Sequence, residues 1–355
     1  MDKSSTKNNS QPRRKVLFLG NGILRAFGNC AMGCGDLEKL IYDVSGVSLP
    51  AGIDRQTIPF PMRITAAFAS SGDCRERIER AVKSLVRKHV KGTDVTNELY
   101  CNQEVVKLRF FKDLIGAGFT DIITTNYSYE IEKVLVGRCP DADSKNHLYE
   151  DYIYPKKCGI RERKYKIWKY YRFPGIGTRI WHVHGEYLKP HSIIFDYYDY
   201  CSLLAKVKNP KKPTSMEKTE ECLSDGNNHQ ENSNWIQTFV WGDIYILGFS
   251  ASIEEPLFWW AMARKKHKQP QEGRVYFYEP TFAFKGKNSR KRNQRQKDVL
   301  AMMKAFDAEH RSVGMTISKD SQFKEFYKLA CKDIIAEVKG LKETGDSSKR
   351  STKRS

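Results

Sequence analysis

The stretch KVLFLGNGILRAFG, residues 15–28, joins a short apolar run to a glycine turn and then to helical spacing. An apolar run of this length that ends in glycine is typical of a buried parallel strand. Gly20 and Gly22 have the spacing of the first two glycines of a dinucleotide-binding turn, but Arg25 stands where the third would be. A plain strand-to-helix turn explains the spacing about as well. Asn21 adds an amide that can bond a ribose or a phosphate.

Four further apolar runs predict strands, each followed by small or polar residues. They are FTDIITTN (119–126), TRIWHVHG (178–185), DIYILGFS (243–250) and GRVYFYEP (273–280). Periodic segments predict helices over 71–89, 97–118, 129–137, 251–268 and 321–341. Alternating strands and helices predict an α/β fold, with a parallel sheet covered by helices on both faces. In such a sheet the ligand crevice lies at the carboxyl ends of the strands.

At about 150 residues per domain the length suggests roughly two domains, and one large α/β domain with insertions fits equally well. The chain has 355 residues, of which 40% are hydrophobic, and needs no metal or disulfide to build a core. We expect the main domain at 15–340, with polar, turn-rich insertions near 138–177 and 205–233. The segments 1–14 and 341–355 are expected to be disordered tails.

The net charge of +19 is concentrated in a few segments. Residues 285–297 hold seven basic side chains and no acidic one, which favours flexible, solvated surface over a nucleic-acid site. Residues 155–172 interleave aromatic with basic side chains and are the stronger candidate for binding nucleic acid. Equally, they can form a twisted pair of strands with the lysines facing outward. Nucleic acid is therefore a candidate partner through these basic segments.

The sequence contains neither a secretory signal nor a long apolar run, so we expect a cytoplasmic protein that does not contact a membrane. Nine cysteines at irregular spacing suit reduced thiols. Because no CxxC pair occurs, a zinc ribbon is not expected.

Polar side chains follow the predicted strands where each strand ends. Thr125 and Asn126 follow the second strand, and two interpretations stay open. Either Asn126 or Ser128 caps the helix that starts at 129, or Asn126 faces the crevice. Gly248 and Ser250 follow the fourth strand and suit a close backbone approach and hydroxyl contacts. Glu279 follows the fifth strand and is the kind of acid that bonds ribose hydroxyls.

The third strand carries the motif HVHG. Strand alternation predicts that His182 and His184 point to the same face. A metal site is the least favoured interpretation, since no suitably spaced cluster of ligands follows, although Asp196 and Asp199 remain candidates. His182 fits a packed core histidine. His184, just before a glycine, is expected at the crevice edge, where a neutral imidazole can accept a proton near pH 7.

The order of these motifs resembles the SIR2-like family, above all the SIR2-like domains of bacterial anti-phage defence systems. The resemblance covers about residues 15–280 and is most specific in the T-T-N-Y and H-x-H-G pair. It implies a Rossmann-like NAD-binding domain with a smaller inserted subdomain. It also implies an NAD glycohydrolase, or NADase, that takes NAD as substrate and cleaves the bond between nicotinamide and ribose.

The resemblance also implies roles for individual residues. Asn126 and His184 match the catalytic pair; Gly20, Asn21 and Gly22 match the phosphate turn; Gly248 and Ser250 match a later ribose-phosphate contact. We expect Thr125, Ser128 and Glu279 to complete the contacts with NAD. The family often has an acid where Ser128 stands, and Glu130 is a candidate substitute. The missing zinc ribbon argues against binding of acyl-lysine peptides.

In a defence system such an enzyme would act by abortive infection and stay silent until triggered. The expected activators are a homo-oligomer, a partner protein or a nucleotide signal. Three alternatives stay open: a non-catalytic module that binds NAD or ADP-ribose, a deacylase or ADP-ribosyltransferase, and an unrelated α/β protein in which a core histidine and a capping asparagine match by chance.

Overall fold

A computed structural model of the protein describes most of the predicted sheet and its helices. The residues it describes are 13–28, 34–46, 58–71, 77, 80–81, 102–137, 150–151, 170–172, 175–186, 192–194, 196–205, 234–268, 273–286 and 289–341. Within these ranges the strands are β1 (Lys15–Leu19), β2 (Asp121–Thr124), β3 (Glu150–Asp151), β4 (Tyr171–Arg172), β5 (Arg179–His182), β6 (Asp243–Leu247), β7 (Val275–Tyr278), β8 (Thr281–Phe282), β9 (Ala308–Arg311) and β10 (Thr316–Ile317). The helices are α1 (Gly22–Phe27), α2 (Cys34–Ser45), α3 (Phe60–Ser71), α4 (Gln103–Lys107), α5 (Arg109–Ile115), α6 (Glu130–Val136), α7 (Tyr197–Leu204), α8 (Trp235–Trp241), α9 (Pro256–Lys268), α10 (Ser289–Ala305) and α11 (Phe323–Val338), with a 3-10 helix at Asp320–Gln322.

The main sheet has the order β3-β4-β5-β2-β1-β6-β7-β9. Six strands from β5 to β9 are parallel, and β4 and β3 add antiparallel at the β5 edge. Counted along the chain, the six parallel strands have the order 3-2-1-4-5-6 of a Rossmann fold. The predicted Rossmann-like α/β fold is therefore confirmed. The strands predicted at 15–20, 119–126, 178–185, 243–250 and 273–280 are β1, β2, β5, β6 and β7.

Alternation along the strands divides the core between two faces of the sheet. Val16 and Phe18 of β1 belong to a cluster covered by α7, α8, α9 and α10, which we call the α9 face. Leu17 and Leu19 belong to a cluster covered by α1, α4, α5, α6 and α11, which we call the α11 face. Side chains of β1 are at most 1% exposed on either face, apart from Lys15 at its start, so the sheet centre is fully covered.

A buried ion pair fixes the start of β2 against β5. Arg179 Nε lies 2.7 Å from Asp121 Oδ1, which also accepts a hydrogen bond from the Trp181 indole at 2.9 Å. Burial alone would raise the pKa of Asp121, but the charge and hydrogen bond of Arg179 hold it below its usual value. The pairing of Asp121 with Arg179 places Thr124 opposite His182, at the ends where the candidate site residues follow.

Two predictions about local structure are wrong. The single helix predicted over 97–118 is broken into α4 and α5 at Leu108, whose backbone is extended. The break lets Val105 and Phe111 both pack into the α11-face cluster. The flexible surface predicted over 285–297 is contradicted from residue 289 onward, where α10 begins. Gln296 in that helix is buried and bonds to the backbone of residues 280 and 282, so tertiary contacts hold the charged segment.

A third, smaller cluster lies between α2 and α3. It includes Leu37, Ile41 and Ile64, and Ile193 and Tyr127 pack against these helices. The α2–α3 layer therefore covers the chain that follows β2 and β5.

A subdomain was predicted at 138–177, but most of that segment lies outside the described residues, and β3 and β4 from it extend the sheet.

Several predictions fall outside the described residues. They concern residues 1–12 and 342–355 of the tails, residues 206–233 of the second insertion, the basic segment at 155–169, and most of the helix predicted at 71–89. Along the part of the chain that is described, the structure contains no helix long and apolar enough to cross a membrane.

Candidate functional site

The glycine turn lies where the strand order reverses, between β1 and β6. The amide of Gly20 donates to the carbonyl of Leu247 at 2.9 Å, and the amide of Gly22 donates to Gly248 at 2.7 Å. A Cβ atom on Gly20 would lie 2.6 Å from the Cα atom of Phe249, and one on Gly22 would lie 2.9 Å from the Gly248 carbonyl oxygen. The glycines are thus required for close packing of two loops at the position where a Rossmann fold binds its ligand.

A cavity of about 750 Å³ opens beside this turn. Of the predicted residues, Gly22, Gly248, Ser250 and Glu279 line it. Its remaining walls come from α1, β8, α10, the 3-10 helix and α11. The cavity therefore lies over the carboxyl ends of β6 and β7, and its volume falls within the range of small-molecule sites.

Asn126 lies on the other side of the glycine turn and is buried. Its side-chain Nδ2 atom is 3.4 Å from the carbonyl oxygen of Gly20, and its backbone N–H donates to Thr124 Oγ1 at 3.0 Å. Its Oδ1 atom has no hydrogen-bond partner among the described residues. The helix that follows begins after Tyr129 without a side-chain cap, so the capping interpretation is wrong for both Asn126 and Ser128.

His182 holds the backbone of Asn126. Its Nδ1 atom is 2.9 Å from the Asn126 carbonyl oxygen, and its Nε2 atom is 2.8 Å from Glu132 Oε1. Burial lowers the pKa of His182, but the charge and hydrogen bond of Glu132 outweigh burial and raise it to about 9. A carbonyl and a carboxylate both accept, so the ring carries a proton on each nitrogen. Sequence reasoning identified His182 as a core histidine but missed its ion pair.

The prediction that both histidines share a face is wrong. His182 packs beside Tyr129 and Tyr171 on the α11 face, whereas His184 packs edge-on to Tyr200 on the α9 face. The strand ends at His182, and a turn closed by the Gly185 amide, with Gly185 at φ +92°, breaks the alternation. The two imidazoles therefore do not form a shared metal clamp.

His184 lies in a small apolar pocket together with an acid. Its Nε2 atom is 3.2 Å from Glu255 Oε2, an ion-pair distance without hydrogen-bond geometry. Thr125, Phe249 and Phe258 line the same pocket, which has a volume of only about 10 Å³. That is room for roughly one water molecule. Thr125, which directly precedes Asn126, thus lies in the same pocket as His184, but bulky side chains fill the space around them.

Ser128 lies apart from both cavities in a buried polar cluster. It donates to Glu130 Oε2 at 2.7 Å, and Glu130 Oε1 accepts from the amide of Asn102 at 2.7 Å. Burial raises the pKa of Glu130 to about 6, although the hydrogen bonds from Ser128 and Asn102 lower it. The contacts of Ser128 and Glu130 position the loop that follows Asn126.

Asn21 directly precedes α1, and its side chain does not cap that helix.

The cavity wall includes basic residues that the sequence did not single out. Arg25, Arg292, Arg295 and Lys324 line it, together with Glu279 and Asp320. Arg295 Nη2 also donates to Ser252 Oγ at 2.8 Å. Burial raises the pKa of Glu279 to about 8, against the charge of Arg292 and a hydrogen bond from Gln296. Such a cavity suits an anionic ligand with a hydroxyl-bearing part.

Comparisons with known proteins find no family that matches the chain and no curated protein that matches it. The resemblance to the SIR2-like family therefore stays a prediction. Within the described ranges, no group of three or more His, Cys, Asp or Glu side chains is placed to hold a metal ion. The fold and the site define a Rossmann-like protein with a basic cavity at its switch point and a buried asparagine beside it.

Proposed function

We propose that this protein binds NAD across the β1–β6 crevice and hydrolyses the bond between nicotinamide and ribose, as a SIR2-like NADase of anti-phage defence. In this proposal the ADP half occupies the large cavity, and the nicotinamide ribose reaches Asn126 and His184. A Rossmann order with a glycine turn at the switch point supports the binding step.

The observation that carries the proposal is the buried Oδ1 atom of Asn126. A buried acceptor without a partner costs about 1–3 kcal/mol, which a donor supplied by a ligand would recover. The Nδ2 atom of the same amide is turned to the carbonyl of Gly20, and His182 fixes the backbone. A ribose hydroxyl or the attacking water would supply the donor that Oδ1 lacks.

The chemistry requires little bond activation, because nicotinamide leaves as a neutral ring from a cationic precursor. The site must stabilise an oxocarbenium-like sugar and direct a water molecule at its anomeric carbon. Asn126 orients the water and the ribose. His184 accepts the proton as water adds, and the nearby Glu255 carboxylate stabilises the resulting imidazolium. The products are ADP-ribose, nicotinamide and a proton.

The described conformation is closed at the catalytic half of this site. The pocket at His184 holds about 10 Å³, whereas the neighbouring cavity holds about 750 Å³. Phe249 lies in the wall of both. Turnover therefore requires Phe249 and its neighbours to move, which agrees with an enzyme that stays silent until an oligomer, a partner or a nucleotide opens the site.

The test measures nicotinamide release from NAD by the full chain at high protein concentration. Wild type is compared with Asn126→Ala and His184→Ala, with His267→Ala as the control because His267 is an exposed histidine of α9. We expect release to fall at least about 100-fold in the first two variants, as for loss of an acid-base or positioning group, and to stay unchanged in the control. Release undiminished in both site variants refutes the assignment.

A second candidate function is a module that binds NAD or ADP-ribose without cleaving it. The contrast between an open cavity and a closed pocket at His184 favours it. Binding of NAD measured by calorimetry, with no nicotinamide released at any protein concentration or with any added nucleotide, would support this candidate over the hydrolase.

A further inference from the structure

An arginine and a carboxyl group meet at one end of the large cavity. Glu279 follows β7, and Arg292 reaches the same cavity from α10. The Arg292 Cζ atom lies 3.8 Å from the ring centre of Phe284 and 5.3 Å from that of Phe282. Its Nη2 atom lies 2.7 Å from Asp320 Oδ1. Stacking and pairing hold the guanidinium in place, and its planar fork still presents several donors.

The cavity carries more positive charge than a pyrophosphate requires. Arg25 and Lys324 come from helices of the α11 face, whereas Arg292 and Arg295 come from α10 on the opposite wall. Because burial keeps the pKa of Glu279 at about 8, against the charge of Arg292, this carboxyl is mostly neutral at pH 7. A neutral carboxyl donates a hydrogen bond to a phosphate oxygen instead of repelling it.

In dinucleotide-binding folds an acid at a strand end bonds the ribose 2′-hydroxyl of NAD, whereas an arginine nearby accommodates the 2′-phosphate of NADP. Here Arg292 lines the cavity together with Glu279, which follows β7, the fifth parallel strand along the chain. We propose that Arg292 makes the cavity selective for adenine nucleotides with a 2′-phosphate, so that NADP or a 2′-phosphorylated ADP-ribose is preferred over NAD. The proposal rests on the proposed function in one respect, the placement of the adenosine half in this cavity.

The test uses simple nucleotides, so it does not depend on turnover. The full chain is titrated calorimetrically with adenosine 5′-phosphate, adenosine 2′,5′-bisphosphate and adenosine 3′,5′-bisphosphate. We expect the 2′,5′-bisphosphate to bind about tenfold more tightly than the monophosphate, as one charge-assisted bidentate contact allows. The 3′,5′-bisphosphate has the same charge on the neighbouring ribose carbon, so a contact specific for the 2′-phosphate predicts that it gains little.

Variants test whether Arg292 causes the tighter binding of the 2′,5′-bisphosphate. Arg292→Gln should reduce the affinity for the 2′,5′-bisphosphate to that for the monophosphate, and Arg292→Lys should keep part of the gain as a point charge. Lys297→Gln is the matched control, since Lys297 is an exposed cation of α10 outside the cavity. Thermal unfolding of each variant confirms that the protein is folded, and the comparison of the two bisphosphates on wild type needs no variant.

The outcomes separate the two proposals. Equal affinity for both bisphosphates, or a 2′-phosphate gain that survives Arg292→Gln, overturns the selectivity and leaves nucleotide binding intact. Binding of none of the three nucleotides overturns both the selectivity and the proposed NAD function.

Discussion

The His182–Glu132 pair should make the stability of this protein depend on pH. The two side chains are buried, their atoms lie 2.8 Å apart, and the ring also holds the Asn126 backbone. We consider the variant His182→Gln, which removes the cation, and the double variant His182→Gln/Glu132→Gln, which removes both charges. Glutamine keeps a hydrogen-bonding group at each position without a titrating proton in this pH range.

The magnitude follows from the pKa of His182. Because its pKa is about 9 in the folded protein and about 6.5 in the unfolded chain, the pair contributes about 3 kcal/mol to stability. The contribution is fully present below about pH 6.5 and is lost as pH rises through about 9, because the unfolded chain releases its proton first. Removing only one partner should lower the free energy of unfolding more than removing both, since an uncompensated buried charge costs about 3–5 kcal/mol.

The assay is urea unfolding followed by tryptophan fluorescence at about pH 6, 7.5 and 9. The free energy of unfolding of wild type minus that of the double variant should fall by about 3 kcal/mol over this range. Other groups cancel in this difference because they are present in both proteins. Lys265 is one of them: burial lowers its pKa to about 7, so it contributes stability that rises with pH.

Two results would refute the reasoning. The first is a difference between wild type and the double variant that does not change with pH, which would mean that folding does not raise the pKa of His182. The second is a single variant at pH 7 that is no less stable than the double variant, which would mean that Glu132 is not a buried charge that needs its partner.

Two further predictions concern the residues around the turn. Asn126→Ala should leave the free energy of unfolding unchanged within about 1 kcal/mol or raise it, because the variant removes an unpartnered buried oxygen; a urea titration that shows a loss of 3 kcal/mol or more would contradict this. Gly20→Ala should lower the thermal midpoint and weaken nucleotide binding, since the added methyl group meets the backbone of Gly248 and Phe249; an unchanged midpoint by calorimetry would contradict this.

Five of the ten described strands, β1, β2, β5, β6 and β7, could be predicted from the sequence because each is a short apolar run that ends in a small or polar cluster. β9 and α10 are among the elements that could not. β9 has the sequence AEHR, with two exposed side chains, and α10 begins in a segment of seven basic residues. Both are held by tertiary contacts, among them the buried Gln296 and Met303, which local periodicity does not reveal.

The site was predicted in part for the same reason. Gly248 and Glu279, which directly follow β6 and β7, line one cavity together with Gly22 from the turn after β1, because the carboxyl ends of parallel strands meet at one edge. The prediction that the two histidines share a face was wrong, because side chains alternate between faces only while the strand continues. Gly185 directly after the motif was the signal of a turn.

The two halves of the candidate site differ in what would have to move for the proposed reaction. Asn126 is tied to β1 through Gly20 and to β5 through His182, so its position is part of the sheet. Phe249, which lines both cavities, sits in a loop where Gly248 has φ +68° and the buried Ala251 has φ +45°. A left-handed conformation costs a residue with a Cβ atom roughly 1–2 kcal/mol, and such strain is often kept where a loop must change state. Movement of this loop would join the open cavity to the closed pocket at His184 while the asparagine stays in place, so activation needs only a local change and not a rearranged sheet.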